Sequence, residues 1–217
     1  MKVALIGASG FAGSHILQEL LSRGHQVTAI VRHPEKVGIS SPLLTTVKGD
    51  VFNIKELAAL LKGHDAVISA YNPGWTNPNI YQEYLDGSQA VQQAVKESGI
   101  KRYIVAGGAG SLFVAPGVQL IDTPQFPAEW KPGALGARDY LTILQKENEL
   151  DWTFLSPAIE MHHGTSGTRK GVYRTGKDSP VFDENGRSII SVEDISMAIV
   201  DELEKPAHIK ERFTVAW

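Results

Sequence analysis

A glycine-rich loop near the start of the chain reads Gly7-Ala8-Ser9-Gly10-Phe11-Ala12-Gly13. It lies between an apolar run, Lys2–Ile6, and a segment whose apolar residues recur at helical spacing. In a G-x-x-G-x-x-G pattern the first glycine permits a tight turn, the second lets a diphosphate approach the backbone, and the third lets helix and strand pack closely. Free N–H groups at the start of the helix attract phosphate. We therefore expect this loop to bind the diphosphate of a dinucleotide, with the Ser9 hydroxyl as an additional donor.

Short runs rich in Val, Ile and Ala alternate with helical patterns along the whole chain. The predicted strands are Lys2–Ile6, Gln26–Val31, Leu44–Val47, Ala66–Ser69, Arg102–Ala106, Trp152–Leu155 and Arg212–Ala216. Continuous apolar runs are typical of parallel strands buried on both faces, and their alternation with helices indicates right-handed βαβ units. The predicted fold class is α/β, a Rossmann-type doubly wound parallel sheet with helices on both faces. One domain is expected to span residues 1–217.

Two connections interrupt the regular alternation, at residues 72–79 and 107–133. Both are rich in Pro, Gly or Asn, and both follow the carboxyl end of a predicted strand. Open α/β sheets bind ligands at that edge, and long irregular connections in compact domains usually serve binding. We expect the two insertions to form the substrate side of the site.

Composition excludes several classes of function. The chain of 217 residues carries 21 basic and 24 acidic residues, which argues against a nucleic-acid-binding surface. It has no cysteine, which excludes disulfides and cysteine-ligated zinc and fits a cytoplasmic protein. The uncharged stretch 103–121 contains several glycines and a proline, so no membrane helix is expected. His162 and His163 are adjacent but lack further ligands, so no metal site is predicted.

The end of the second predicted strand bears on cofactor choice. It reads Val31-Arg32-His33, without the carboxylate that binds a ribose 2′-hydroxyl in NAD-specific proteins. The Arg32 guanidinium can instead hold a 2′-phosphate through two hydrogen bonds. The sequence therefore favours NADP, with NADPH as the reduced form, over NAD, although the nearby Glu35 leaves NAD open.

Four segments together resemble the atypical short-chain dehydrogenase/reductases. They are the glycine-rich loop, Val31-Arg32, Gly49-Asp50-Val51 and the segment 151–157, which reads Asp-Trp-Thr-Phe-Leu-Ser-Pro. The similarity is strongest to the NAD(P)H-flavin reductase branch that includes biliverdin reductase B. It covers nearly the whole chain, including residues 190–194 and 212–215. The NmrA-like proteins are further relatives of the same fold.

The resemblance implies functional roles for particular residues. The cofactor contacts that it implies are Asp50 and Val51 at the adenine, Ala70, Tyr71 and Asn72 at the ribose and nicotinamide, Gly107 and Gly108 in the next loop, and Pro157 near the nicotinamide. Ser111 lies near the position of the catalytic serine of the superfamily. We expect it to hydrogen-bond the substrate or the carboxamide of the nicotinamide.

The usual proton donor of the superfamily is missing from its expected place. Carbonyl reduction there uses a Tyr-x-x-x-Lys pair on a helix, in which the lysine lowers the pKa of the tyrosine. The one match, Tyr173–Lys177, contains a glycine and lies outside any helical pattern, so we reject it. Reduction of a flavin spreads the incoming charge over a conjugated ring and needs proximity more than an acid. The aromatic residues in or beside the two insertions suit a planar acceptor: Tyr71, Trp75, Phe113 and Trp130.

Three functional hypotheses follow. The first is hydride transfer from NADPH to a flavin or similar planar small molecule by a monomer or homodimer, with His162 or His163 as an optional proton donor. The second is a non-catalytic, NmrA-like NADP-binding redox sensor. The third, ranked last, is an NAD(P)-dependent epimerase or carbonyl reductase, since such enzymes are longer and need the missing tyrosine.

Overall fold

A central eight-stranded sheet organises the protein, and the computed structural model describes all 217 residues. The strands, with a separate two-stranded hairpin (β6 and β7), are β1 (Lys2–Ile6), β2 (Gln26–Val31), β3 (Leu44–Lys48), β4 (Ala66–Ser69), β5 (Arg102–Ala106), β6 (Phe113–Ala115), β7 (Val118–Gln119), β8 (Asp151–Ser156), β9 (Arg174–Gly176) and β10 (Glu211–Ala216). The order in the sheet is β3-β2-β1-β4-β5-β8-β10-β9. All neighbours are parallel except β9, which pairs antiparallel with β10.

Five helices cover the two faces of the sheet. They are α1 (Phe11–Ser22), α2 (Ile54–Leu61), α3 (Ile80–Ser98), α4 (Lys131–Leu144) and α5 (Val192–Glu204). Helices α1 and α5 pack on one face, while α2, α3 and α4 pack on the other. Strand β1 shows why both faces are apolar, since Val3 and Leu5 belong to one core and Ala4 and Ile6 to the other. The predicted doubly wound α/β fold is confirmed.

Helix boundaries follow the capping residues. The Asn53 side chain accepts the N–H of Glu56 at the start of α2, and the Ser191 hydroxyl accepts the N–H of Asp194 at the start of α5. Helix α3 ends at Gly99, whose φ of 84° is the left-handed conformation that glycine adopts without strain. None of the five helices combines the length and the apolar composition needed to span a bilayer.

The structure differs from the sequence-based expectation at two places. The insertion predicted at 107–133 is partly regular, because it contains the β6–β7 hairpin and ends where α4 begins at Lys131. Pro132 lies in the first turn of α4, where a missing N–H costs no hydrogen bond. Strand β9 was not predicted, since its three residues carry no apolar pattern. The residues of the rejected motif 173–177 lie along this edge strand, outside any helix.

Candidate functional site

The glycine-rich loop leaves the carboxyl end of β1 and turns directly into α1. Gly7 has a φ of 81°, and a Cβ built on it would lie 2.5 Å from the carbonyl oxygen of Ala70 in the neighbouring chain segment. A Cβ built on Gly13 would lie 2.0 Å from the carbonyl oxygen of Gly7. Both positions therefore require glycine for the protein's own packing. They bring strand, loop and helix closer together than any side chain would allow.

Gly10 differs from these two glycines. Its φ of −81° and ψ of 172° suit any residue, and a Cβ there would meet nothing closer than the Gly7 carbonyl oxygen at 3.4 Å. Gly10 is also exposed. The protein's own packing does not explain a glycine here, whereas a diphosphate lying on the bare backbone does. The loop therefore fits a dinucleotide cofactor.

The first turn of α1 presents unpaired hydrogen-bond donors. No side chain caps the helix at Gly10, and the first turn contains no acidic residue. The N–H groups of Phe11, Ala12 and Gly13 have no acceptor in the protein. Together with the positive end of the helix dipole they form an anion site at the carboxyl edge of the sheet. Ser9, also exposed, lies beside them.

Arg32 follows the carboxyl end of β2 and is exposed without an ion pair. Glu35, the acidic residue that left NAD open in the sequence, contacts another side chain. Its Oε1 lies 3.1 Å from Nδ1 of His33. The Arg32 guanidinium therefore has no charged partner in the protein and is accessible to a ligand. The positive charge at this strand end is what a 2′-phosphate requires.

The Gly49–Val51 segment runs beside the end of β2. The N–H of Gly49 donates to the carbonyl of Val31 at 3.0 Å. Asp50 is exposed, and its Oδ1 accepts the N–H of Phe52 at 3.0 Å in a local turn. Val51 is buried. The segment therefore places a carboxylate acceptor, Asp50, and an apolar side chain, Val51, after the strand next to β2.

Tyr71 is fixed against α3 by its ring and its hydroxyl. A Cβ on Gly87 would lie within 2.5 Å of the Tyr71 ring, and the hydroxyl donates to the carbonyl of Glu83 at 3.0 Å. Burial raises the pKa of Tyr71 to about 12, although the Arg32 charge opposes the shift. The backbone here is held by the Ala70 N–H, which donates to the Ile6 carbonyl at 2.9 Å. The Tyr71 hydroxyl is thus engaged inside the protein.

The neighbouring loops approach the same edge of the sheet. Asn72 accepts the N–H of Gly74 through its side chain at 2.7 Å. A Cβ on Gly107 would lie 2.0 Å from the ring of Phe154, so the start of the third loop lies directly on β8. A Cβ on Gly108 would lie 3.3 Å from the Cβ of Ala137 in α4, and Pro157 is buried directly after β8. These residues follow the ends of β4, β5 and β8, which lie side by side in the sheet, with β4 next to β1.

Ser111 lies in a short 3₁₀ turn after β5 and is 3% exposed. Its Oγ accepts a hydrogen bond from Nη1 of Arg212 at 3.1 Å, and its carbonyl accepts from the same atom at 3.3 Å. Arg212 also donates from Nε to Asp178 Oδ1 at 3.0 Å. Sequence reasoning missed Arg212 and Asp178. The available signal was an arginine in an apolar terminal strand. Because buried charges are almost always paired, such an arginine indicates a partner inside the protein.

Two further tyrosines, Tyr140 of α4 and Tyr173 of the rejected motif, have hydroxyls that are engaged elsewhere. Tyr140 is fully buried with its hydroxyl 3.2 Å from that of Tyr103, and burial raises the Tyr140 pKa well above its ordinary value. Tyr173 donates its hydroxyl to Asp201 of α5 at 2.7 Å. Neither hydroxyl is available as a proton donor to a bound substrate. In contrast, three aromatic residues of the insertions remain exposed: Trp75, Phe113 and Trp130.

The adjacent histidines lie in the exposed connection after β8. A 3₁₀ turn, His163–Thr165, forms here because the His162 side chain caps it by accepting the N–H of Gly164. The turn brings His163 to the glycine-rich loop, where its ring centroid lies 4.0 Å from that of Phe11. No three His, Cys, Asp or Glu side chains come together as a metal site.

Comparison with known proteins identifies the family of the chain. A family model described as NAD(P)H-binding matches residues 7–206, which include the glycine-rich loop and most of the sheet. The chain belongs to the NAD(P)H-binding family. Its resemblance to the atypical short-chain dehydrogenase/reductases is thereby confirmed. The chain is an NAD(P)H-binding oxidoreductase. The residues that hold the cofactor and the preference for NADP over NAD stay predictions.

Relatives of this NAD(P)H-binding protein carry different names. It is 41% identical to the Bacillus subtilis protein YwnB over 99% of this chain and 98% of the relative. A solved structure from Bacteroides thetaiotaomicron, provisionally named an epimerase, has 47% identity and a TM-score of 0.91, with 100% of this chain and 96% of that one covered. One from Streptococcus pneumoniae, provisionally named an NADH-flavin reductase, has 38% identity and a TM-score of 0.86, covering 100% and 99%. The chain spans about half the length of the mouse sterol-4-alpha-carboxylate 3-dehydrogenase that it also matches (47%).

Proposed function

We propose that this NAD(P)H-binding protein is an NADPH-dependent reductase whose acceptor is a flavin or a similar planar molecule that binds and leaves. The proposal rests on the tyrosine hydroxyls, which are not available as proton donors to a substrate. Tyr71, Tyr140 and Tyr173 each hold a hydrogen bond inside the protein or lie buried. A ketone would need a donor for its localised oxyanion, whereas a flavin delocalises the added charge. The flavin-reductase name of the Streptococcus relative supports the same choice.

The residues of the site have distinct tasks in this reaction. When bound, NADPH supplies a hydride, the acceptor takes it together with a proton from water, and NADP⁺ leaves. The N–H groups of Phe11, Ala12 and Gly13 hold the diphosphate, and Arg32 holds the 2′-phosphate. Val51 is an apolar wall for the adenine, and Pro157 one for the nicotinamide. Holding the two rings in contact lowers the barrier mainly by removing the entropy of their encounter.

The exposed aromatic side chains suit the acceptor. Trp75 is 59% exposed, Trp130 47% and Phe113 37%, all within or beside the two insertions. Trp75 is nevertheless positioned, because its ring packs against Gly133 at the start of α4. Aromatic faces stack on planar rings without requiring specific hydrogen bonds. Such side chains would accept more than one kind of flavin.

A screen for acceptors tests the proposal. Loss of reduced-nicotinamide absorbance is followed with FMN, riboflavin and a quinone, each against a reaction without acceptor. We expect saturable oxidation of NADPH with at least one flavin. A rate that stays at the no-acceptor level with all three acceptors, while calorimetry shows NADPH binding, would support the non-catalytic sensor instead.

The name of the Bacteroides relative favours one alternative, an NAD(P)-dependent epimerase. An epimerase oxidises and re-reduces the same substrate, so it shows no net consumption of NADPH. Nucleotide sugars incubated with the protein and NAD(P)⁺, followed by chromatography of the sugars, separate the two cases. Epimerised sugar without acceptor-dependent oxidation of NADPH would replace the reductase proposal.

A further inference from the structure

The histidine turn, residues 162–167, lies against the first residue of α1. The centroid of the His163 ring is 4.0 Å from that of Phe11, with 44° between the ring planes. Phe11 also carries the first of the unpaired N–H groups that face the diphosphate. We propose that His163 is a further cofactor-binding residue, which donates a ring N–H to the diphosphate of the bound dinucleotide.

The two adjacent histidines have separate roles. The Nδ1 atom of His162 accepts the N–H of Gly164 at 3.0 Å. The Thr165 hydroxyl accepts the N–H of His162 at 3.2 Å and donates to its carbonyl at 3.0 Å. These bonds close a capping box, so the His162 ring is used to build the turn. The His163 ring makes no hydrogen bond in the protein and is exposed beside Phe11.

The segment that follows is tied to α1 and α5 without any ligand. Three carboxylates hold it: Glu193 accepts the N–H of Gly167 at 2.8 Å, Asp194 accepts that of Gly171 at 3.0 Å, and Glu19 accepts from Arg169 Nη2 at 3.0 Å. Helix α1 therefore bears the phosphate-binding turn and also anchors the segment that carries His163. A preformed contact of this kind adds affinity because little freedom is lost on binding.

Three titratable groups lie on the elements next to His163. On α1, the His15 ring lies 5.6 Å from Phe11, and its Nδ1 lies 2.8 Å from the Phe11 carbonyl oxygen. On α5, Glu193 lies 3.6 Å from Nε2 of His15, and on the turn itself there is His162. Burial favours the protonated form of Glu193, but hydrogen bonds from Gly167 and Ser166 outweigh it and lower the pKa. Glu193 is the only anion among these three groups, and Gly167 and Ser166 already donate to it. The His163 ring therefore remains available to a ligand.

The chemistry matches a diphosphate. Backbone N–H groups alone leave the two phosphate charges poorly neutralised, and an imidazole N–H adds a hydrogen bond to an anionic oxygen. The tilted packing on Phe11, with 44° between the ring planes, holds the ring beside the loop. The inference rests on NAD(P)H binding and would hold equally for a reductase, a sensor or an epimerase.

Two fragments of the cofactor isolate the contact between His163 and the diphosphate. ADP-ribose contains the diphosphate, and 2′-AMP lacks it. The variant His163→Phe keeps a ring on Phe11 but removes the N–H groups. We expect its dissociation constant for ADP-ribose to rise about tenfold and that for 2′-AMP to change by less than about twofold, as for loss of one hydrogen bond to a charged group. His162→Asn is the matched control, since Asn retains an acceptor for the cap, and should bind both fragments normally.

His163→Gln provides a second readout, because glutamine keeps an N–H donor but loses the ring. We expect it to bind ADP-ribose more tightly than His163→Phe does. Wild-type affinity for ADP-ribose in both His163 variants would overturn the proposal. Since no acceptor is present, failure of the flavin assay has no bearing on this outcome.

Discussion

Arg212 of β10 donates a hydrogen bond from Nη1 to the hydroxyl of Ser111, 3.1 Å away, and so joins the last strand to the loop after β5. The Arg212 side chain is 4% exposed, whereas its ion-pair partner Asp178 is 65% exposed. The arginine supports the Ser111 turn from inside the protein. Because the Ser111 oxygen accepts this bond, its proton is free to point towards a ligand.

Replacing Arg212 should destabilise the fold more than replacing Asp178. Arg212→Gln leaves the buried Ser111 hydroxyl without its donor, while the Ser111 carbonyl keeps only the Gln119 amide. We therefore expect the free energy of unfolding to fall by about 1–3 kcal/mol. Asp178→Asn alters a largely exposed pair, whose contribution is typically below about 1 kcal/mol. Urea denaturation of both variants measures the difference. Equal losses would show that the Ser111 contact contributes little.

Ser111→Ala tests whether the serine takes part in chemistry. If Ser111 only orients the nicotinamide or the acceptor, kcat with a flavin should fall by roughly threefold to tenfold, the usual effect of one neutral hydrogen bond. The NADPH dissociation constant should stay close to that of the wild type. A loss of about a thousandfold in kcat would instead make Ser111 an essential donor to the reacting group and contradict an acceptor that needs no protein acid.

Gly10→Ala should separate cofactor binding from folding. The backbone at Gly10 accepts alanine and its Cβ has room, so the free energy of unfolding should fall by about 1 kcal/mol at most, from the poorer N-cap. The methyl group would lie where the diphosphate approaches, so we expect at least about tenfold weaker NADPH binding by calorimetry. Gly38→Ala, with open space around its Cβ, is the control and should change neither quantity. Unchanged NADPH affinity in Gly10→Ala would place the diphosphate elsewhere.

Arg32→Asp should change the cofactor preference. Loss of the guanidinium and the added negative charge should raise the NADPH dissociation constant by at least about tenfold, because a charge-assisted pair with the 2′-phosphate is lost. NADH affinity should stay constant or improve. Lys36→Ala, a loss of one positive charge in the same connection, should leave the ratio near that of the wild type. A ratio unaltered by Arg32→Asp would mean that another residue binds the 2′-phosphate.

The Glu19 carboxylate links stability to pH. Hydrogen bonds from Arg169, the largest effect, and from Arg23 hold the Glu19 pKa below its ordinary value of 4.5, although burial opposes them. Its contribution is therefore fully present above about pH 4.5 and is lost as the pH falls towards the lower pKa of the folded state. Glu19→Gln should be less stable than the wild type at neutral pH, and the difference should shrink on acidification. Denaturant titrations at several pH values check this, and a difference independent of pH would contradict it.

Local patterns were enough to predict the fold and the position of the glycine-rich loop in it. All seven predicted strands form, and Gly7 to Gly13 connect β1 to α1. These features depend on residues close together in the chain, where period and capping chemistry can be read directly.

Contacts between distant segments could not be predicted in the same way. The Arg212–Ser111 hydrogen bond joins residues 101 positions apart, and His163 meets Phe11 only because the segment after β8 folds back onto α1. Tyr71 looked free to stack in the sequence, but its ring is packed on Gly87. Strand β9 forms because β10 offers it an edge, and its own residues carry no strand signal.

The most direct test of the account is anaerobic mixing of the protein and NADPH with FMN, followed by the loss of oxidised-flavin absorbance. We predict bleaching that saturates with NADPH, far exceeds the uncatalysed rate, and falls sharply in Gly10→Ala but not in Gly38→Ala. Bleaching at the uncatalysed rate with the cofactor bound would contradict hydride transfer to a planar acceptor.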